Sequence, residues 1–192
     1  MELICATHNK NKIKEISELI PETFSLKGLN NIGCMDDIPE TGNTMDENAL
    51  IKAQFVYDKY KLNCFADDSG LEVKALNGAP GVFSARYAGE SKNDLNNINK
   101  LLNELEGKSN REAQFKTVIA LIMDGKKYFF EGIVKGRITN RVMGQNGFGY
   151  DPVFIPDGYK ETFAQMNMEA KNSISHRGIA VGKLVNFLKS FW

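Results

Sequence analysis

"FKTVIALIMDGKKYFFEGIVKGRI", residues 115–138, decides the fold class. Two β-rich runs, 115–123 and 127–138, are joined through Asp124-Gly125. An aspartate-glycine pair between two such runs is a strong hairpin signal, because the tight turn that matches strand twist needs positive φ at both central positions. At least part of the sheet is therefore expected to be antiparallel. Working outward, "LICA" (3–6) reads as a buried strand. Ile13, Ile16, Leu19 and Ile20 then recur at helical spacing from about Asn9 until Pro21. Thr44 followed by Glu47 is a capping-box pattern opening a helix whose buried face is Ala49, Ala53, Val56 and Tyr60. "FADDSGLEV" (65–73) begins as an apolar strand and meets Ser69-Gly70, which reads as a turn away. Beyond the loop "NGAPG" (77–81), Leu95, Ile98, Leu102 and Leu105 mark a helix closed by Gly107. "PVFIP" (152–156) reads as a short strand, and Val181, Leu184, Val185, Leu188 and Phe191 as a closing amphipathic helix. The class is α/β, with α+β as the alternative, built on a mixed sheet and not a purely parallel one.

The chain of 192 residues suits a single domain, residues 1–192, without repeats or a Pro/Gly-rich linker. Its 24 basic and 24 acidic residues cancel, so no whole-chain field draws nucleic acid or an anionic membrane. Three widely spaced cysteines, Cys5, Cys34 and Cys64, suit neither a disulfide framework nor zinc. With no signal peptide and no apolar run of membrane-spanning length, a cytoplasmic protein is expected.

Five stretches hold residues able to do chemistry. "THNKNK", residues 7–12, sits at a strand-to-helix junction. A helix N-terminus there offers backbone N–H groups and partial positive charge, to which Thr7, Asn9 and Lys12 add donors and a cation. Its plain alternative is an Asn-capped surface helix. The adjacent Asp67 and Asp68 point to opposite faces of a regular strand, so they do not share one metal; one serves a site and the other serves structure. Glu40 in "IPETG" and Lys52 in the capped helix read, taken alone, as a loop acid and a surface lysine. "GFGYDP" (147–152) combines flexible glycines with Phe148, Tyr150 and an Asp151 held extended before Pro152. It would stack on a planar base and read its edge, or else give its aromatics to the core. "KNSISHR" places Lys171, His176 and Arg177 just before or at the start of the last helix, suited to an anion or a carbonyl. Two nucleotide motifs fail. Gly107-Lys108-Ser109 lacks the P-loop glycine, since position 102 is Leu102, and Pro152 takes the last glycine position of a dinucleotide fingerprint.

The ordered series "THNKNK", "ETGNTMDENALIKA", "FADDSGLEV", "GAPGVFSARYAG", "GFGYDPVF" and "SHRGIA" closely resembles the inosine triphosphate pyrophosphatase family over nearly the whole chain. Each motif is weak by itself; six in order are specific. The resemblance implies a mixed, twisted sheet flanked by helices, two lobes around a central cleft, and a homodimer. It also implies Mg²⁺-dependent cleavage of deaminated purine nucleoside triphosphates to the monophosphate and pyrophosphate. Carried over by position, Thr7, His8, Asn9, Lys10, Asn11, Lys12 and Lys52 match phosphate-binding elements. Glu40 and Asp68 match the metal ligands, and Asp68 also the proposed base. Ser69 matches a substrate contact, and Phe148, Gly149, Tyr150, Asp151, Lys171, His176 and Arg177 match the base-recognition elements. His8 departs from a position that is often glycine. Two routes stay open for Asp68, which either takes the proton from water or holds the metal that activates it. A nucleotide-sensing or RNA-interaction module without turnover is the alternative function.

Overall fold

The computed structural model describes residues 2–190. In chain order its principal elements are β1 (Glu2–Cys5), α1 (Lys10–Leu19), β2 (Ser25–Gly28), α2 (Met45–Tyr60), β3 (Cys64–Val73) and α3 (Asp94–Glu104). They continue as β4 (Glu112–Met123), β5 (Lys126–Ile138), β6 (Phe154–Pro156), α4 (Met168–Ile174) and α5 (His176–Lys189). The strands form one sheet in the order β2-β1-β3-β4-β5-β6. β1 pairs in parallel with β2 and β3, whereas β5 and β6 pair antiparallel. Asp124 (φ 51°) and Gly125 (φ 77°) both take the left-handed conformation that the two-residue hairpin between β4 and β5 demands. The mixed α/β sheet expected from the sequence is borne out.

The chain forms two compact units. The first comprises the residues up to Asp68, then Thr117–Gly132, then those from Arg177 onward; the second comprises Ser69–Lys116 and Ile133–His176. In the first, strand alternation sorts the core into two faces. Leu3, Cys5, Phe65, Ile119 and Leu121 pack with Ile16 of α1 and with Val181, Leu184 and Leu188 of α5. Ile4, Ala6, Cys64, Ala66, Ala120 and Ile122 pack with Ala49, Ala53 and Val56 of α2. Each buried Leu, Ile or Phe contributes roughly 1.5–3 kcal/mol, so the two layers fix the strand register firmly. Carried one residue further along β3, the alternation gives Asp67 to the α1/α5 face and Asp68 to the α2 face. In the second unit Leu71, Val73, Ile98, Leu101, Leu105, Phe115, Tyr150, Phe154 and Phe163 form the core. Phe115 meets Phe154 edge-on at 4.7 Å between ring centroids.

Several local expectations are corrected. Ser69-Gly70 does not turn the chain; β3 runs through it to Val73. The buried stripe of α3 is Asn97, Ile98 and Leu101, while Leu95 is exposed. Asn97 occupies that stripe because it accepts from Ala88 N at 2.7 Å and donates to Ala85 O at 3.0 Å, so the polar side chain is fully used. Pro152 and Val153 lie in a 3₁₀ turn, and β6 starts only at Phe154. Lys171 does lie just before the last helix, as expected, within a short helix of its own, α4. Of the expected closing stripe, Val181, Leu184, Val185 and Leu188 are buried; Phe191 lies outside the described residues.

Candidate active site

The first unit holds the carboxylates, and α2 positions them. Its N-terminus is closed by the capping box foreseen from Thr44 and Glu47: Thr44 Oγ1 accepts from Glu47 N at 3.2 Å, and Glu47 Oε2 accepts from Thr44 N at 3.3 Å. Two turns in, Lys52 points onto the sheet and is almost wholly buried. Its Nζ lies 2.6 Å from Glu40 Oε1 and 3.6 Å from Asp68 Oδ1, and it donates to the Asp67 carbonyl at 2.7 Å. The loop acid, the helix lysine and the strand acid, read separately in the sequence, thus meet. Burial alone would lower the Lys52 pKa, but Asp68, Glu40 and Asp67 together raise it, so it stays cationic. Asp68 is held above the usual carboxylate range, first by burial and also by Glu40 and Asp67, against the opposing pull of Lys52 and Lys12.

Asn48 was missed. Its Nδ2 donates to Asp68 Oδ2 at 3.2 Å, while its Oδ1 accepts from Gly42 N at 2.8 Å, fastening the strand acid to the loop that carries Glu40. The available signal was its spacing: Asn48 precedes Lys52 by one turn, on the same helix face. A Cβ on Gly42 would stand 2.6 Å from Glu47 Cβ and 2.9 Å from Asn48 Oδ1, so a larger residue displaces this junction.

At the start of α1, Asn9 caps the helix by accepting from Asn11 N at 3.0 Å and Lys12 N at 3.2 Å. Thr7 Oγ1 accepts from Asn9 N at 3.1 Å. Two of the helix-end amides, those of Asn11 and Lys12, are therefore already taken by the cap. Lys10 and Asn11 are exposed. His8 Nε2 bonds the Asp36 carbonyl at 3.0 Å, which ties this turn to the segment leading to Glu40. Lys12 turns inward to Asp67 Oδ2 at 3.0 Å. Asp67 is fully buried; burial would raise its pKa, but Lys12, Arg177 and Lys52 hold it well below the usual range. Arg177 is buried too, with Nη1 donating to Glu15 Oε2 and both Nε and Nη2 lying 3.4 Å from Asp67 Oδ2. Arg177, expected among the base-recognition elements, engages two carboxylates in this arrangement. Glu15 gave only a weak signal, as an acid one turn after Lys12 on the face of Ile16, because its partner lies 162 positions away in sequence.

The second unit gathers the other set. Asp151 is buried and sits in a 3₁₀ turn, not the extended backbone expected before proline. Its Oδ2 accepts from Phe148 N at 2.9 Å and from Lys171 Nζ at 2.6 Å. Lys171 Nζ stands 5.2 Å above the Phe148 ring and 5.7 Å from that of Phe163. Gly147 (φ 73°) lies so close that a Cβ there would meet Asp151 Oδ2 at 2.0 Å. Gly149 N donates to Asp94 Oδ2 at 2.7 Å. Of the two aromatics left open between stacking and core, Tyr150 belongs to the core, with its hydroxyl donating to Ser84 O at 2.8 Å, and Phe148 is half-buried. His176 lies flat against Phe115, 4.6 Å between centroids and 9° between planes. Ser69 opens this unit as a half-buried residue of β3.

With this geometry in hand, the Ham1 family model matches residues 3–187. The chain belongs to the Ham1 family. A curated relative from Flavobacterium psychrophilum, named dITP/XTP pyrophosphatase, is 55% identical over 190 residues, covering 99% of this chain and 100% of that one. The solved structure of the Staphylococcus aureus Ham1 protein superposes with a TM-score of 0.91 at 41% identity, covering 100% of each chain. A Ham1 protein from Coxiella burnetii gives 0.91 at 39% identity, covering 99% of each chain. The family resemblance read from six motifs is thereby borne out over the whole length. Among the described residues, no helix is long and apolar enough to cross a membrane.

Proposed function

We propose that this Ham1 family member hydrolyses the triphosphates of deaminated purine nucleosides (inosine, deoxyinosine and xanthosine) to the nucleoside monophosphate and pyrophosphate. The observation that carries this reading is the meeting of Glu40 and Asp68 at Lys52, in a chain whose curated relatives bear the name dITP/XTP pyrophosphatase. The reading also takes the protein to be a cytoplasmic homodimer that clears such nucleotides from the pool.

The residues fit Mg²⁺. It is a hard cation that takes oxygen ligands and usually only one or two protein carboxylates. Glu40 and Asp68 both already face one ammonium group. Among the described residues no group of three or more His, Cys, Asp or Glu offers a richer alternative. Glu40 and Asp68 would hold the ion, which when bound offsets negative charge on the phosphates and on the departing pyrophosphate. The chain's own residues do the rest. Lys52 and Lys12 supply positive charge toward the phosphates, while Lys10, Asn11, Thr7, His8 and Asn9 shape the turn that receives them. Asp68 assists the attack of water on the α-phosphorus by one of two routes, taking the proton itself or holding the ion that would activate the water. General-base action supplies about 10²- to 10⁴-fold, so positioning and charge carry the larger share.

For the base, hypoxanthine and xanthine present a 6-oxo acceptor where adenine presents a 6-amino donor. Donors on Arg177, His176 or backbone N–H favour the former, with Phe148 and Gly149 framing the ring and Asp151 holding Lys171 in place. Incubating the protein with deoxyinosine triphosphate and Mg²⁺ tests the reaction: monophosphate with pyrophosphate supports it, and diphosphate with orthophosphate refutes attack at the α-phosphorus. Full biological effect from an inactive Asp68→Asn protein would favour the sensing alternative.

A further inference from the structure

Asn48 sits inside the acid site, yet the chemistry proposed above gives it no part. It lies on α2, one turn before Lys52, and is 1% exposed. The partners of its side chain tell its two ends apart. A backbone N–H can only donate, so the Gly42 amide at 2.8 Å fixes Oδ1 on the loop side and turns Nδ2 toward Asp68 Oδ2 at 3.2 Å. Asp68 is thus held from two directions. Asn48 takes Oδ2, and Oδ1 is left on the side of Lys52, 3.6 Å away, where Glu40 Oε1 stands 2.6 Å from the same ammonium. The loop after Glu40 is fastened as well. Gly42 N donates to Asn48, and Glu47 Oε2 accepts from Asn43 N at 2.6 Å and Thr44 N at 3.3 Å, so three successive amides are tied to the start of α2. Of the side chains of this size, asparagine offers an acceptor for the loop and a donor for the strand acid; ionised aspartate lacks the donor and leucine lacks both. The oxygen that Asp68 presents matters to the ion it meets. Ca²⁺ takes carboxylates through one or both oxygens in a flexible shell, whereas Mg²⁺ demands near-ideal octahedral order. A carboxylate with one oxygen engaged by an amide offers the other alone, which suits the smaller ion.

We propose that Asn48 is a positioning residue that holds Asp68 to ligation through one oxygen and so sets the site for Mg²⁺ over Ca²⁺. The proposal rests on the reading in which Glu40 and Asp68 hold the ion. The test compares wild type with Asn48→Ala, each first shown to melt cooperatively without divalent ions. Melting is then followed against MgCl₂ and, separately, CaCl₂ at constant ionic strength and without nucleotide, which gives an apparent Kd for each ion. In parallel, the Mg²⁺ concentration that half-saturates pyrophosphate release from deoxyinosine triphosphate is measured. N48A is expected to weaken Mg²⁺ by roughly 10- to 100-fold, the usual cost of losing a hydrogen bond that orients a ligand. Ca²⁺, which accepts the freed second oxygen, should weaken by less than about threefold. The half-saturating Mg²⁺ concentration should rise with the Mg²⁺ Kd. Alanine also releases the loop, and loosening of that kind weakens both ions together. Equal losses for the two ions would therefore overturn the proposal in favour of a structural role, and unchanged affinities would overturn it outright. A wild-type melt that neither ion raises overturns it too. If N48A does not melt cooperatively, Asn48→Ser is read by the same ratio of losses. A wild-type protein that binds Mg²⁺ but releases no pyrophosphate refutes the functional reading. One that releases pyrophosphate, with either contrary pattern in the variant, refutes this proposal alone.

Discussion

Replacing Lys52 with methionine keeps the length of the side chain and removes the ammonium that Glu40 and Asp68 share. The geometry sets the size of the effect. Nζ is 2.6 Å from Glu40 Oε1, 2.7 Å from the Asp67 carbonyl and 3.6 Å from Asp68 Oδ1, with Asp68 almost wholly buried. Removing one partner of a buried ion pair costs about 3–5 kcal/mol, and the lower end applies here because Glu40 keeps 26% of its side chain exposed. For a chain of this size about 3 kcal/mol corresponds to a fall in Tm of roughly 6–12 °C. On the proposed function, Mg²⁺ held by Glu40 and Asp68 adds the opposite effect. An ion that binds only the folded state stabilises it by about 2.7 kcal/mol at a hundred times its Kd. Two carboxylates without their lysine hold it more strongly than two carboxylates with it. Thermal denaturation followed by circular dichroism, with and without millimolar Mg²⁺, is the assay. Lys52→Met should melt well below wild type without the ion and recover a larger share of the loss with it. A variant melting within about 2 °C of wild type, with an equal Mg²⁺ response, would refute the view that these acids are one electrostatic unit.

Three further outcomes are expected. Asp68→Asn should lower kcat by about 10²- to 10⁴-fold while its circular dichroism spectrum stays that of wild type; residual turnover within tenfold would exclude Asp68 as the base. Gly147→Ala forces a Cβ against Asp151 Oδ2 at a backbone angle that disfavours side chains. It should raise KM for deoxyinosine triphosphate more than it lowers kcat, and a KM equal to wild type would show that the Asp151–Lys171 pair does not serve the base. The three cysteines are buried, and burial pushes the Cys64 thiol up to about 12 and raises Cys5 as well. At pH 8 neither group is a thiolate, so a disulfide reagent should find almost no reactive thiol until denaturant is added; rapid labelling of the native protein would contradict this burial.

Much of the architecture was legible because local chemistry decided it. Asp124-Gly125 has few conformations between two strands, and Thr44 with Glu47 satisfies a helix end reciprocally. The period of two along β3 separated Asp67 from Asp68 before any partner was known. Where the sequence misled, distant residues had overridden a local preference. Ser69-Gly70 resembles a turn, yet it lies within the hydrogen-bonded run of β3. Leu95 has the right spacing for α3, yet Asn97 takes the buried stripe because Ala85 and Ala88 supply its partners. Two short elements, β2 with four residues and α4 with seven, were too brief to show a period. In the site, Glu40, Lys52 and Asp68 were found as types, while their convergence needed the fold. The partners of Arg177 left no mark in its own neighbourhood, since Asp67 and Glu15 lie 110 and 162 positions away.

The central claim is tested most directly by product analysis. The protein is incubated with deoxyinosine triphosphate in ¹⁸O-labelled water with Mg²⁺, and the products are resolved by mass spectrometry. Attack at the α-phosphorus predicts deoxyinosine monophosphate carrying the label, with unlabelled pyrophosphate. Label in the pyrophosphate, or release of deoxyinosine diphosphate and orthophosphate, would contradict it.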